Sequence, residues 1–190
     1  MRFLPALVLV GLLTTATAFA GGPIPRPAPD LSWTGSDGKK LSLAQFKGKV
    51  VALEIMSTTC SHCQDCAVIL QKLTAEFGAK GFQAVAMSIN DDANLPQFIK
   101  QFNISFPVGK GTRESALMAL QHSVMSQFYF PGLLLIDRNG VIQAQYTGGD
   151  AFLQANEEAN IRGVVAKMMG STPAAGAKPA AKAAAKKQKK

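Results

Sequence analysis

A seven-residue apolar run, Val50–Met56, is the feature that most constrains the fold of this chain. Only Glu54 interrupts the run, and such a run is typical of a strand that is buried on both faces of a sheet. Cys60 follows shortly after, and apolar positions then recur at steps of three and four up to Phe77, as on one face of a helix. The pattern predicts a central strand followed by a helix with cysteines in its first turn.

Strands and helices alternate along the rest of the chain. Turn residues at 36–39, SDGK, and at 137–140, DRNG, each separate two short apolar segments and predict two β-hairpins. Between and after the hairpins we expect a strand at 82–89, a helix at 94–102, an extended piece at 105–108, a helix at 112–121 and a last helix at 150–169. The chain therefore predicts an α/β fold: a mixed central sheet flanked by helices on both faces, with an N-terminal β-hairpin.

The chain divides into four regions. Residues 1–20 hold one positive charge, an apolar run and the ending Ala18-Phe19-Ala20, which predict a signal peptide cleaved near Ala20. An uncleaved membrane anchor is the alternative, whereas a lipoprotein anchor is excluded because no cysteine follows the run. A proline-rich lead-in at 21–30 precedes the predicted domain at 31–170, and we expect the Ala/Lys-rich tail at 171–190 to be disordered. Export makes the protein periplasmic or secreted, in a compartment where disulfides persist.

The formal net charge of +8 belongs to the tail and not to the domain. Six of the 20 basic residues lie in the tail and one lies in the first 20 residues, which leaves 13 basic against 12 acidic residues at 21–170. A nearly neutral, exported domain argues against nucleic acid as a partner. The basic tail has the charge for weak contact with the membrane or the cell envelope.

All three cysteines stand at one spacing, in STTCSHCQDC at 57–66. At the start of a helix, free N–H groups and the helix dipole stabilise the thiolate of Cys60, and Cys63, one turn on, resolves the mixed disulfide. His62 between them adds positive charge that favours the thiolate. A structural disulfide and a metal site are the alternatives, but a zinc site would have only His62 and His122 to complete its ligands. The spacing favours redox chemistry.

Three segments carry a resemblance to a known family. The segment KGKVVALEIMSTTCSHC at 47–63 resembles the strand–CxxC–helix of thioredoxin-like proteins, in particular the exported TlpA/ResA-type thiol–disulfide oxidoreductases of the redoxin group. The segment at 28–49 is similar to their N-terminal hairpin, and FPGLLLIDRNGVIQAQYTGG at 130–149 is similar to their cis-proline segment and closing hairpin. The likeness spans about residues 28–169 and implies a thioredoxin-like fold.

The resemblance also implies roles for individual residues. Cys60 matches the attacking thiol and Cys63 the resolving thiol of a redox-active disulfide. Pro131 matches the cis-proline, so the backbone of Phe130 is expected to pair with an extended substrate segment. Glu54 matches the buried acid that exchanges a proton with Cys63, and a surface acid is the alternative for this residue. The resemblance implies no cofactor and no metal.

The CxxC motif departs from the family pattern at two positions. Thr59 stands where a tryptophan is usual, which removes an apolar contact surface, and Ser61 stands where a proline is frequent. The pair Ser61-His62 resembles the histidine-bearing motifs of oxidising members. The chain has no room for the large helical insertion of the strong oxidases, which favours a reductase.

Two further residues have structural interpretations. Cys66 lies on the apolar stripe of the predicted helix and is interpreted as a core residue, with an extra resolving thiol or soft-metal ligand as alternatives. His122 ends a predicted helix and is interpreted as a solvent-facing or capping residue.

Three functions follow from these patterns. The first is an exported oxidoreductase that reduces disulfides in client proteins and receives electrons from an upstream donor. The second is a peroxiredoxin-like peroxidase, although Leu53 stands where that class requires a proline and no arginine lies near Pro131. The third is a copper(I)-handling module that uses the three cysteines and His62.

Overall fold

The computed structural model describes residues 21–170. The predicted signal peptide and the predicted tail lie outside the described residues. Residues 21–170 form eight strands: β1 Arg26–Pro27, β2 Ser32–Gly35, β3 Lys40–Ser42, β4 Val50–Met56, β5 Phe82–Ser88, β6 Val108–Lys110, β7 Gly132–Ile136 and β8 Val141–Thr147. The same residues form five α-helices: α1 Ser61–Phe77, α2 Leu95–Gln101, α3 Arg113–Leu120, α4 Ala151–Gln154 and α5 Glu157–Gly170.

All eight strands belong to one mixed sheet in the order β1-β8-β7-β4-β5-β6-β2-β3. The strands β4, β5 and β6 are parallel to one another, and every other neighbouring pair is antiparallel. The N-terminal hairpin of β2 and β3 joins the sheet through β6. The predicted α/β fold, with its mixed sheet and N-terminal hairpin, is confirmed.

Strand β4 separates two hydrophobic cores, and all of its residues are buried. Successive side chains of a strand point to opposite faces, so Val50, Ala52 and Met56 enter one core together with buried residues of α1 and α5. Val51, Leu53 and Ile55 enter the other core together with buried residues of α3. Glu54 has the parity of the first set, and the alternation therefore directs its carboxylate toward the α1 and α5 face.

Helix α1 begins directly after Cys60, whose side chain caps it. Its buried positions include Cys63, Cys66, Leu70 and Leu73, which is the apolar stripe that the spacing predicts. The helix ends at Phe77 and is followed by a short 3-10 turn. The predicted helices α2 and α3 each begin with a side-chain cap, since Asn94 and Thr112 each accept a hydrogen bond from a backbone N–H at the start of their helix.

Two predicted elements differ from the structure. The extended piece expected at 105–108 is wrong in position, because the backbone N–H of Ser105 donates to Gln71 of α1 and the sheet pairing of β6 starts only at Val108. The single last helix expected at 150–169 is two helices. Asn156 has a left-handed backbone with φ of 55°, and the Asn160 side chain donates to the carbonyl of Ala155 at 2.7 Å. The break lets α5 begin anew at Glu157.

Part of the proline-rich lead-in is built into the sheet. Arg26 and Pro27 pair with β8 as an edge strand. The buried Arg26 guanidinium donates to the carbonyl of Ala119 at 2.9 Å and to the side chain of Gln145. The folded body therefore starts before Leu31. Among the residues that the structure describes, no helix has both the length and the apolar character needed to cross a bilayer.

Candidate active site

The two cysteines of the CxxC motif meet at the start of α1. The backbone N–H of Cys63 donates to Sγ of Cys60 at 3.4 Å, and both thiols are free. Cys60 is partly exposed, whereas Cys63 is fully buried. Burial raises the pKa of the Cys63 thiol, and the charge of Glu54 raises it further. The pair thus combines one accessible sulfur with one buried thiol that holds its proton.

Glu54 lies beneath this pair in the middle of the sheet. Its side chain is completely buried, and neither carboxylate oxygen has a hydrogen-bond partner among the described residues. Burial raises its pKa well above the usual value, and the charges of Glu157 and Cys60 add to that rise. The alternative of a surface acid is wrong, because β4 is central in the sheet. A buried carboxyl group of this kind can exchange a proton with a neighbouring thiol.

The Phe130–Pro131 segment faces the same end of the sheet. The peptide bond between the two residues is cis. Gly132 directly after it pairs with Ile55 near the end of β4, and Cys60 and Phe130 pack against the same hydrophobic core. The backbone of Phe130 is tightly fitted, since a Cβ atom on Gly148 would lie 1.8 Å from its carbonyl oxygen.

The loop that leads to Cys60 is held by polar contacts. Ser57 and Thr59 share a hydrogen bond between their hydroxyls at 3.0 Å, and Asn90 accepts from the backbone N–H of Thr58 at 3.0 Å. Thr59 is exposed beside a groove of about 410 Å³. The groove is polar apart from two phenylalanines, and its lining includes Thr58, Gln64, Asp92, Asn94 and Gln97. Thr59, the position at which the family pattern has a tryptophan, therefore borders a polar groove.

The two residues between the cysteines have different surroundings. Ser61 is exposed at the first position of α1. The imidazole of His62 is turned toward α4 and α5: its Nε2 lies 2.9 Å from the carbonyl oxygen of Leu153 and 3.4 Å from Oε2 of Glu157. Because a carbonyl oxygen only accepts, Nε2 carries the hydrogen. The imidazole of His62 thus contacts a carboxylate of α5.

Glu157 is a residue that the sequence patterns did not single out. It lies in the first turn of α5, and its side chain is only 13% exposed. Burial raises its pKa, while His62 and the thiol of Cys66 lower it. With one continuous helix expected at 150–169, the face on which Glu157 lies could not be assigned from the spacing.

Cys66 lies on the buried face of α1, as its interpretation as a core residue predicts. Burial raises the pKa of its thiol well above the usual value, and the charges of Glu54 and Glu157 add to the effect. In residues 21–170, no three side chains of His, Cys, Asp or Glu are grouped so that they could hold a metal ion.

His122 differs from its prediction. It is buried and not solvent-facing, its ring meets Phe128 edge to face at 5.6 Å, and Nδ1 bonds the carbonyl of Ser123. The cap position itself belongs to Gln121.

The peroxiredoxin alternative gains no support from the structure, because Leu53 is part of β4 and not of a loop.

Comparison with known proteins gives one consistent picture. The family model described as Redoxin matches residues 24–164. The thiol-disulfide oxidoreductase ResA of Bacillus thuringiensis subsp. konkukian is 27% identical over 135 residues, which cover 70% of this chain and 75% of that protein. The ResA protein of Geobacillus thermodenitrificans is 25% identical over 142 residues, which cover 74% and 77% of the two chains.

Solved structures agree with these relatives. A structure described as a putative thiol:disulfide interchange protein DsbE from Chlorobium tepidum has a TM-score of 0.61 at 25% identity, and the match covers 74% of this chain and 96% of that one. A second thioredoxin family protein from the same organism has a TM-score of 0.64 at 23% identity, with 78% and 99% covered. The sheet and its flanking helices are therefore those of thioredoxin-like proteins.

Proposed function

The chain belongs to the redoxin family, and we propose that its Cys60–Cys63 dithiol reduces disulfide bonds in exported client proteins. The chain is a thiol–disulfide oxidoreductase of the protein-disulfide type, like the relatives that it matches over most of its length. The observation that carries the proposal is the pairing of an accessible Cys60 sulfur at a helix start with a buried Cys63 thiol above Glu54.

Cys60 is the attacking residue. Its sulfur is the more exposed of the two, and it accepts the backbone N–H of Cys63 at the positive end of a 17-residue helix. Both features favour Cys60 over the buried Cys63 as the sulfur that attacks a client disulfide. The thiolate attacks one sulfur of the client disulfide and forms a mixed disulfide, and the second client sulfur leaves as a thiolate that takes a proton from water.

Cys63 then resolves the mixed disulfide with Glu54 as its base. The burial that raises the pKa of the Cys63 thiol keeps it protonated until a base is available. Glu54 is a carboxyl group in the same core with a raised pKa, so it binds a proton more readily than an ordinary glutamate. Its proton exchange with Cys63 releases the thiolate that closes the Cys60–Cys63 bond and frees the client.

The client segment is held in extended form beside Phe130 and Pro131. The backbone of Phe130 is fixed in place by its close approach to Gly148, and a fixed backbone edge suits pairing with a peptide. The groove at Thr59 is next to the loop that leads to Cys60 and offers polar partners to other residues of the client. We expect clients whose disulfide is flanked by hydrophilic residues.

The direction of electron flow and the location complete the proposal. The protein is exported through a signal peptide at residues 1–20, acts in the periplasm or outside the cell, and is returned to the dithiol form by an upstream electron donor. Residues 21–170 hold no large helical insertion of the kind found in strong oxidases, and this supports the reductive direction. A measured reduction potential of the Cys60–Cys63 couple tests this direction, because the Ser61-His62 pair resembles the motifs of oxidising family members.

The test is to trap the client and to measure the potential. Cys63→Ser should accumulate a mixed disulfide with a disulfide-containing substrate, whereas Cys60→Ser should form none and lose turnover. The reduction potential of the Cys60–Cys63 couple should lie near that of thioredoxin, about −270 mV, and a value near about −120 mV would instead identify an oxidant. Full activity of Cys60→Ser would refute the role of the dithiol.

A further inference from the structure

A second buried carboxylate stands behind the dithiol, on an element that the CxxC motif does not include. Glu157 opens α5, and its Oε1 is buried with no hydrogen-bond partner among the described residues. Its Oε2 lies 3.4 Å from Nε2 of His62, whose side chain is 30% exposed. Glu157 therefore connects an interior position with a side chain that reaches solvent.

Glu157 also reaches the interior acid. Its charge raises the pKa of Glu54 and of Cys66, so the three groups lie within electrostatic range of one another. Both oxygens of Glu54 and one oxygen of Glu157 lack partners within residues 21–170. A negative charge on Glu157 therefore disfavours the ionised form of Glu54.

We propose that Glu157 is a positioning residue of the exchange reaction: it holds His62 through Nε2 and places a second carboxylate in the core toward which Glu54 is directed. The inference deepens the function proposed above and rests on the Cys60–Cys63 dithiol being the redox couple. It differs from that proposal in assigning a residue of the last helix to the second chemical step.

Resolution of the mixed disulfide by Cys63 balances in bonds, protons and electrons. In the mixed disulfide, the Cys63 S–H bond breaks and its proton moves to the Glu54 carboxylate. The Cys63 thiolate attacks Sγ of Cys60, the bond between Cys60 and the client breaks, and the client sulfur leaves as a thiolate. The dithiol has then lost two electrons and the client disulfide has gained two. The client thiolate takes a proton from water, and Glu54 keeps the proton of Cys63 until the upstream donor reduces the disulfide and Cys63 is protonated again.

The charge of Glu157 also sets the strength of the base. A negative charge nearby raises the proton affinity of Glu54, so Glu54 takes the proton of Cys63 more readily. The ionisable groups that face Glu54 and Glu157 come from α1 and the loop before it, and they are Cys60, His62, Cys63, Asp65 and Cys66. Glu157→Gln removes one charge from this set and keeps the shape of the side chain.

The second step can be observed by itself with dithiobis-nitrobenzoate, a small chromogenic disulfide. The reduced protein releases one nitrothiobenzoate when Cys60 attacks and a second when Cys63 resolves the mixed disulfide. Stopped-flow absorbance across a pH series gives both rates. In E157Q we expect the ratio of the second rate to the first to fall about tenfold at its plateau and its acid limb to move to lower pH, because Glu54 then ionises at lower pH.

Glu158→Gln is the matched control. Glu158 is the next residue of α5, but it is 40% exposed and pairs with Lys72 and Arg162 at the surface. E158Q should keep the wild-type ratio of the second rate to the first and the same midpoint of its acid limb. E157D should recover part of the plateau of this ratio because it restores a carboxylate. A ratio and midpoint of E157Q equal to those of E158Q would overturn the inference.

Two further outcomes are covered by the same series. If E157Q does not fold by circular dichroism, E157D is compared with E158D: a lower plateau of the rate ratio in E157D supports the inference, because the shorter side chain withdraws the carboxylate, and equal plateaus overturn it. Failure of the proposed function gives a different result, since Cys63→Ser would then trap no protein client whatever the two nitrothiobenzoate rates of the wild type.

Discussion

At the scale of single residues, Glu54 has opposite effects on stability and on chemistry. A fully buried carboxyl group without a hydrogen-bond partner loses its hydration and gains nothing in return. The same isolation makes it a stronger base toward Cys63. Stability and activity should therefore respond to substitution of Glu54 in opposite directions.

Glu54→Leu should stabilise the reduced protein by at least about 1 kcal/mol at pH 8 and remove the second nitrothiobenzoate release. Leucine fills a similar volume and joins the surrounding apolar side chains without a desolvation cost. Urea unfolding at equilibrium gives the free energy of unfolding, and stopped-flow gives the rate. A less stable Glu54→Leu protein would show that the carboxylate has a stabilising partner.

The pH dependence of stability follows from the same residue. The folded state raises the pKa of Glu54 above its usual value of 4.5, so folding favours the protonated form. Its contribution is fully present below the pKa of the unfolded chain and is lost as pH rises toward the folded pKa. The free energy of unfolding of the wild type should fall from pH 4.5 upward more steeply than that of Glu54→Leu. Parallel curves for the two proteins would contradict a raised pKa.

Gly148 is a residue whose missing side chain fixes the client-binding segment. A Cβ atom there would lie 1.8 Å from the Phe130 carbonyl oxygen and 2.5 Å from its carbonyl carbon, and both are backbone atoms. Gly148→Ala should therefore displace Phe130 and destabilise the protein by about 1–3 kcal/mol. It should also weaken trapping of a protein client by Cys63→Ser more than reaction with the small chromogenic disulfide. Unchanged trapping would separate Phe130 from client binding.

At the scale of elements, Gly163 of α5 differs from Gly148 because there is room for a side chain at this position. Gly163 lies in the exposed middle of the helix, and a Cβ atom there would meet nothing within 4 Å. Alanine is favoured over glycine in a helix interior by about 1 kcal/mol, so Gly163→Ala should raise the melting temperature by about 2–4 °C. Activity should be unchanged. A lower melting temperature would mean that this face of α5 is covered by residues outside 21–170.

The elements that could be predicted are those whose signals are local. The run Val50–Met56 and the stripe of α1 are decided by burial of their own side chains, and both formed where the pattern placed them. The caps at Asn94 and Thr112 are likewise short-range hydrogen bonds. The candidate dithiol could be read from the sequence for the same reason, because a strand end and a helix start stand next to it in the chain.

The elements that could not be predicted depend on contacts between distant segments. β6 starts at Val108 because Gln71, from α1, takes the N–H of Ser105. The break between α4 and α5 depends on a left-handed Asn156, and no pattern of apolar residues marks it. Glu157 was missed as a consequence, since its position beside His62 is defined by that break. A sequence pattern finds the cysteines, whereas their second carboxylate requires the tertiary structure.

At the scale of the whole molecule, the redox state and the stability of the fold are linked. The Cys60–Cys63 disulfide forms inside a structure whose core includes Cys63, Glu54 and the first turn of α1. By a thermodynamic cycle, a couple that is more reducing when folded than when unfolded stabilises the oxidised protein, and about 30 mV corresponds to about 1.4 kcal/mol. The proposed reductase should therefore unfold at higher urea concentration when oxidised than when reduced.

The comparison should be made with Cys66→Ala in both redox forms, because a third thiol in the unfolded chain would exchange with the disulfide. The difference in the free energy of unfolding between the two forms should agree with the difference between the measured potential of the folded couple and that of the unfolded chain. Burial of the Cys63 thiol beside Glu54 keeps a polar group and an acid in the core of the reduced form, which is relieved in part when the disulfide closes. If the reduced form is the more stable of the two, the direction of electron flow is reversed and the protein is an oxidant. The Ser61-His62 pair, which resembles the motifs of oxidising family members, would agree with that result.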